Sequence, residues 1–163
     1  MLKIVGCHES GKTEVEFGEY LPFKFWYQAQ SIGPKFYWRT GDLKSTLFEV
    51  EIERATGRII SASLLLPGEV RKDFPVLNLF DDLGARGYPI VDTNGWPDDS
   101  FNDEPCVLRV FIDSSRLLIT LSESVATRRT ISADNTTFGL DANGFIVWIL
   151  ISNLPTEKLE LIS

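Results

Sequence analysis

The chain has 163 residues, of which 44% are apolar, 24% charged and 12% aromatic. These are globular values for a single domain spanning 1–163, and they exclude disorder, collagen or coiled coil as the main architecture. Sixteen Lys and Arg against twenty-three Asp and Glu leave a net charge of −7. That balance argues against nucleic acid and against an anionic membrane surface, and it suits a basic partner or simple solubility.

The first ten residues carry one Lys and a short apolar run, with no visible signal peptide. No stretch reaches the ~18 apolar residues of a membrane span. With only Cys7 and Cys106 in the chain, a secreted disulfide scaffold is not indicated. A reduced, cytoplasmic protein is expected, with both thiols as packing residues.

Gly6-Cys7-His8-Glu9-Ser10-Gly11-Lys12-Thr13 fits the phosphate-loop pattern G-x-x-x-x-G-K-[ST]. In a true phosphate loop a helix begins at the Lys and aims its amides at the phosphates. Here Val15 and Phe17 alternate with Glu14 and Glu16, and Gly18 and Pro22 follow. That is a strand pattern, so the segment is read as a turn between β segments. A nucleotide site at Gly6–Thr13 is kept as a rival. His8 is the only histidine, which removes histidine metal clusters and makes any Ser-His or Cys-His enzyme depend on that one ring.

Nine of the nineteen aromatic residues fall between Phe17 and Trp38. Phe25-Trp26-Tyr27 and Phe36-Tyr37-Trp38, around Gly33-Pro34, read as a hairpin with rings on both faces. One reading is core and cross-strand packing. Another is a platform near Trp26 and Trp38 that stacks sugars in a carbohydrate-binding β-sandwich.

Residues 46–54 alternate, Ala55-Thr56-Gly57 turns, and Arg58–Leu66 returns as a second strand. Residues 68–84 hold the best helical spacing, with Val70, Phe74, Leu77, Phe80 and Leu83. Pro75 limits it to one or two short turns. Val76–Asp81 resembles the Walker-B run of nucleotide enzymes, but it lies in this most helix-like stretch. Asp73, Asp81 and Asp82 extend the acidic surface if the fold gathers them.

Residues 91–105 contain Asp92, Asp98, Asp99, Asp103 and Glu104 without a base, and Trp96 and Phe101 sit among them. A long acidic loop with embedded rings reads as a solvated loop or as an interface for a basic protein. In the second case the acids steer the encounter, and Trp96 and Phe101 bury area. The spacing lacks the order of a calcium loop. Asp92, Trp96, Asp98, Asp99, Phe101, Asp103 and Glu104 are the candidate partner-binding residues. No catalytic residue, cofactor or metal is assigned.

Beyond this loop the hairpin figure repeats. Val107–Ile112 turns at Asp113-Ser114-Ser115 into Leu117–Leu121. Residues 125–133 add a further strand. Thr136–Leu140 turns at Asp141-Ala142-Asn143-Gly144 into Phe145–Ile151. That last run is apolar throughout, as in a strand covered on both faces. A C-terminal turn over Thr156–Leu161, capped by Thr156, closes the chain. The expected fold is mainly β: an antiparallel, hairpin-built sandwich or curved sheet with one or two short helices.

The acidic β-rich domain, the Phe48–Leu66 hairpin with Glu53-x-x-x-Gly57-Arg58 at its turn, and the ending Phe138–Gly144, apolar strand and short tail resemble small immunity proteins of bacterial polymorphic-toxin systems. The resemblance covers roughly residues 46–66 and 136–162. It implies a cognate toxin neutralised by direct binding at a protein interface, without catalytic residues in the immunity protein.

Overall fold

A computed structural model describes residues 1–9, 11–28, 31–79 and 84–163. Within them the chain folds as a mainly β protein of two large sheets, a small ribbon and one short helix. Ser10, Phe80, Asp81, Asp82 and Leu83, named above for the phosphate pattern, the helical spacing and the acidic surface, lie outside the described residues.

The ribbon pairs β1 (Ile4–His8) with β9 (Tyr88–Val91). The six-stranded sheet holds β2 (Thr13–Glu16), β3 (Phe23–Tyr27), β4 (Lys35–Thr40), β5 (Thr46–Glu53), β6 (Ile59–Pro67) and β10 (Phe101–Asp103), in the order β10-β4-β5-β6-β3-β2. Its pairs are antiparallel except β10, which joins β4 in parallel. The seven-stranded sheet holds β7 (Val70–Arg71), β8 (Ala85–Arg86), β11 (Arg109–Ile112), β12 (Leu117–Thr120), β13 (Arg129–Ala133), β14 (Thr136–Leu140) and β15 (Ile146–Ile151). Its order is β7-β11-β12-β15-β14-β13-β8.

Alternation along the strands builds the main core. Phe23, Phe25, Trp38, Phe48, Val50 and Ile52 of one sheet meet Ile119, Ile131, Phe138 and Ile149 of the other. Phe25 and Phe138 touch edge to face across the sandwich, with centroids 6.5 Å apart. Tyr27 Oη and Thr136 Oγ1, 2.8 Å apart, add a buried hydrogen bond between the layers. Burial pushes the Tyr27 phenol far above its ordinary pKa, so it stays neutral.

The expected hairpins form as β5/β6, β11/β12 and β14/β15. The apolar run of β15 is buried on both faces. Ile146, Ile149 and Ile151 enter the main core, while Val147, Trp148 and Leu150 form a second cluster with Phe111 and Leu118. Phe74, Leu77 and Val125 pack over that cluster.

Three local expectations are corrected. Among the described residues of 68–84 there is no helix. Val70–Arg71 pairs with β11, and the irregular segment around Pro75 brings Phe74 and Leu77 onto the second cluster. The apolar spacing there serves one-sided packing of a non-helical chain. The aromatic runs of β3 and β4 do not form a hairpin, because β5 and β6 lie between them in the sheet. The C-terminal helix α1 (Thr156–Leu159) is present, but Thr156 does not cap it. Pro155 holds the cap position, and the Thr156 hydroxyl instead donates to the Ser114 carbonyl at 2.5 Å.

Candidate functional site

The two sheets differ on their outward sides. The seven-stranded sheet carries the second apolar cluster there. The six-stranded sheet carries charged and aromatic side chains instead. Its cross-strand register places Glu14, Trp26, Ser61, Glu51, Tyr37 and Phe101 in one outward row, and Glu16, Lys24, Ser63, Glu49, Arg39 and Asp103 in the next. Strand alternation dictates this, since i and i+2 share a face.

Segment 92–105 runs to the β4 edge of this sheet. It is not a free loop, because Phe101–Asp103 pairs with Tyr37–Arg39. Further backbone bonds run from Tyr37 N–H to the Ser100 carbonyl (2.7 Å) and from Glu104 N–H to the Arg39 carbonyl (2.9 Å).

The seven residues expected to bind a partner separate into two groups. Four build the segment. Asp92 accepts from the Asn94 amide at 3.1 Å and forms the first turn. Trp96 is half-buried against the main core, with its ring 5.3 Å from that of Phe36. Asp103 holds Arg39 through two bonds of 2.6 and 2.9 Å. Glu104 accepts from Trp38 Nε1 at 2.9 Å and pairs with the Met1 amino group. Burial pushes the Glu104 carboxyl up, but those two donors outweigh it and hold it below the ordinary range.

The other three face outward. Asp98 and Asp99 are exposed. The Asp98 carbonyl accepts from Arg54 Nη2 at 2.6 Å, which leaves its carboxylate to solvent. Phe101 is 51% exposed. It stacks on Tyr37 with centroids 5.2 Å apart, and the Arg39 guanidinium lies 4.6 Å from its ring centre.

Glu49 and Glu51 are not candidate site residues in the sequence reading, and Tyr37 enters it only as part of the Phe36-Tyr37-Trp38 run. Their signal was the outward phase of β4 and β5, legible only once the inward phase is known. Burial, and then the neighbouring Glu51, raise the Glu49 carboxyl above its ordinary pKa. Lys35 meets Glu51 at 3.5 Å.

The phosphate-like segment has a different geometry from a phosphate loop. Thr13 opens a strand, not a helix. The Gly11 amide donates to Tyr88 Oη at 2.5 Å and the Thr13 amide to Asp134 Oδ2 at 2.8 Å. The Thr13 hydroxyl, which would hold magnesium, donates to the Ala133 carbonyl at 3.3 Å. The paired-tryptophan platform is also not assembled, because Trp38 is buried in the core and only Trp26 faces outward.

No protein-family model matches the chain, and no curated protein is significantly similar to it. The fold and the outward face define a mainly antiparallel β-sandwich, with parallel pairs at β10/β4, β11/β7 and β13/β8 and one polar, aromatic-bearing sheet face. No helix among the described residues is long and apolar enough to cross a membrane.

Proposed function

We propose that the protein is a non-enzymatic, cytoplasmic protein-binding module of the immunity type, which neutralises a cognate basic bacterial toxin by direct binding. The observation that carries this reading is Phe101. It is a half-exposed ring fixed on an edge strand, backed by Tyr37, with the carboxylates of Asp98 and Asp99 beside it in sequence and open to solvent. An exposed aromatic held rigid loses little entropy on burial and makes an effective anchor. Uncommitted carboxylates raise the encounter rate with a basic surface. Trp96 supports the interface from within by packing the segment onto Phe36.

The test begins with capture from lysate of the source cells by the tagged protein, eluted with a salt gradient. With the captured basic partner, joint replacement of Asp98 and Asp99 by Asn is expected to slow association and flatten its salt dependence. Phe101→Ala is expected to speed dissociation about thirtyfold, the effect of a ~2 kcal/mol hot spot. Wild-type kinetics in both variants would overturn the placement of the interface.

A further inference from the structure

A second feature of the same sheet face is independent of the toxin-binding reading. Strand β6 lies between β3 and β5, and its outward side chains are small, Ser61 and Ser63. The flanking strands carry long ones, so a cleft of about 380 Å³ opens there. Strand spacing sets its walls roughly 9–10 Å apart. A bulge shapes the floor. Ile52 pairs with Ile59 while Glu51 pairs with Ser61, so Ile60 is an extra residue and both Ile60 and Ser61 line the cleft.

Three properties of the cleft point to a ligand. Trp26 forms one wall and is half-buried, yet it packs against neither apolar cluster. Among the described residues its indole N–H has no partner and its ring touches no other ring. Ser61, directly opposite Trp26 in register, is 2% exposed, and its hydroxyl has no hydrogen-bond partner among the described residues. A buried hydroxyl without a partner is costly. Among the described lining residues the charges balance, with Lys24 and Lys35 against Glu16 and Glu51. A cleft of net zero charge selects neither an anion nor a cation. It offers donors, acceptors and one flat aromatic surface.

We infer that this cleft binds a neutral pyranose sugar. The apolar C–H face of the ring lies on Trp26. Its hydroxyls donate to Glu16 and Glu51 and accept from Lys24 and Lys35. As the indole yields, one hydroxyl reaches Ser61 Oγ and supplies its missing partner. A few convergent polar groups beside an aromatic wall are the usual composition of a small-molecule site.

The experiment is a titration followed by the Trp26 indole N–H signal in ¹H–¹⁵N spectra. The probes are the methyl pyranosides of glucose, galactose, mannose and N-acetylglucosamine, raised to tens of millimolar. Glycine and inorganic phosphate serve as zwitterionic and anionic comparisons. At least one pyranoside is expected to give a saturable shift, and Trp26→Ala to abolish binding followed at the Ser61 amide. Ser61→Ala separates binding from folding. It is expected to raise the melting temperature, because a buried unpaired hydroxyl is removed, while weakening the sugar by about tenfold. No saturable response to any pyranoside overturns the inference. So does a stronger response to glycine or phosphate, or sugar binding that survives Trp26→Ala. Each of these outcomes leaves the Phe101 interface standing, since that interface is read from association kinetics with a protein partner.

Discussion

The Trp96 ring packs against Phe36 with centroids 5.3 Å apart and planes inclined by 60°. Through this contact a segment rich in acids is fastened to the core of the sandwich. Trp96→Ala is therefore expected to loosen residues 92–105 and to destabilise the protein by about 2 kcal/mol, below the ~3–5 kcal/mol of a fully buried ring. Faster amide exchange at Phe101–Asp103 reads the loosening, and urea unfolding reads the loss of stability. An unchanged exchange rate would show that β10 is held in place without the Trp96 contact.

Gly139 lies opposite Trp148 in the β14/β15 register, and a Cβ at Gly139 would overlap the Trp148 ring. The indole also donates to the Val125 carbonyl at 3.1 Å, so the ring has little freedom to move aside. Gly139→Ala is expected to cost about 1–3 kcal/mol through overpacking. Combining it with Trp148→Phe should recover part of that loss, which a double-mutant cycle in urea would measure.

Asp42 organises the turn between β4 and β5. Its carboxylate accepts from the Ser45 hydroxyl and from the amides of Thr46, Lys44 and Ser45. These bonds, the Ser45 hydroxyl first, hold its pKa far below the ordinary carboxylate value. A pKa depressed in the folded state stabilises the fold fully above the unfolded value of about 3.9 and less as pH falls towards the folded value. The stability of the wild type is thus expected to decline on acidification below about pH 4, with a shallower decline in Asp42→Asn. Urea midpoints collected between neutral and strongly acidic pH would show whether the slopes differ.

Nucleotides are expected to leave the melting temperature unchanged. The amides of Gly11 and Thr13 donate to Tyr88 and Asp134, and the chain leaves Lys12 as a strand. Thermal unfolding with and without Mg-ATP or Mg-GTP is the check. A stabilisation that Lys12→Ala removes would restore the phosphate-loop reading.

Much of the architecture was legible in the residues. The β5/β6, β11/β12 and β14/β15 hairpins declare themselves because alternation, turn residues and return strand lie within about twenty residues of one another. The β15 run Ile146–Ile151 announces burial on both faces, because no residue in it tolerates water well. The strand reading of Val15 and Phe17 against Glu14 and Glu16 likewise rests on local period.

What escaped the sequence depended on distant pairing. Trp26, Trp38 and Trp96 are alike as letters. One walls a cleft, one is buried in the core, and one pins a surface segment. Their fates follow from the strand order β10-β4-β5-β6-β3-β2, in which β3 and β4 lie apart although they are consecutive in the chain. The acids of 92–105 looked equivalent for the same reason. Asp103 is matched by Arg39, sixty-four positions away, and Glu104 by Trp38, sixty-six away, while Asp98 and Asp99 face solvent. Local period and turn chemistry decide which residues become strands. Which strands become neighbours is decided by closing the whole sandwich around one core, and only that closure determines which charges and rings remain outside it.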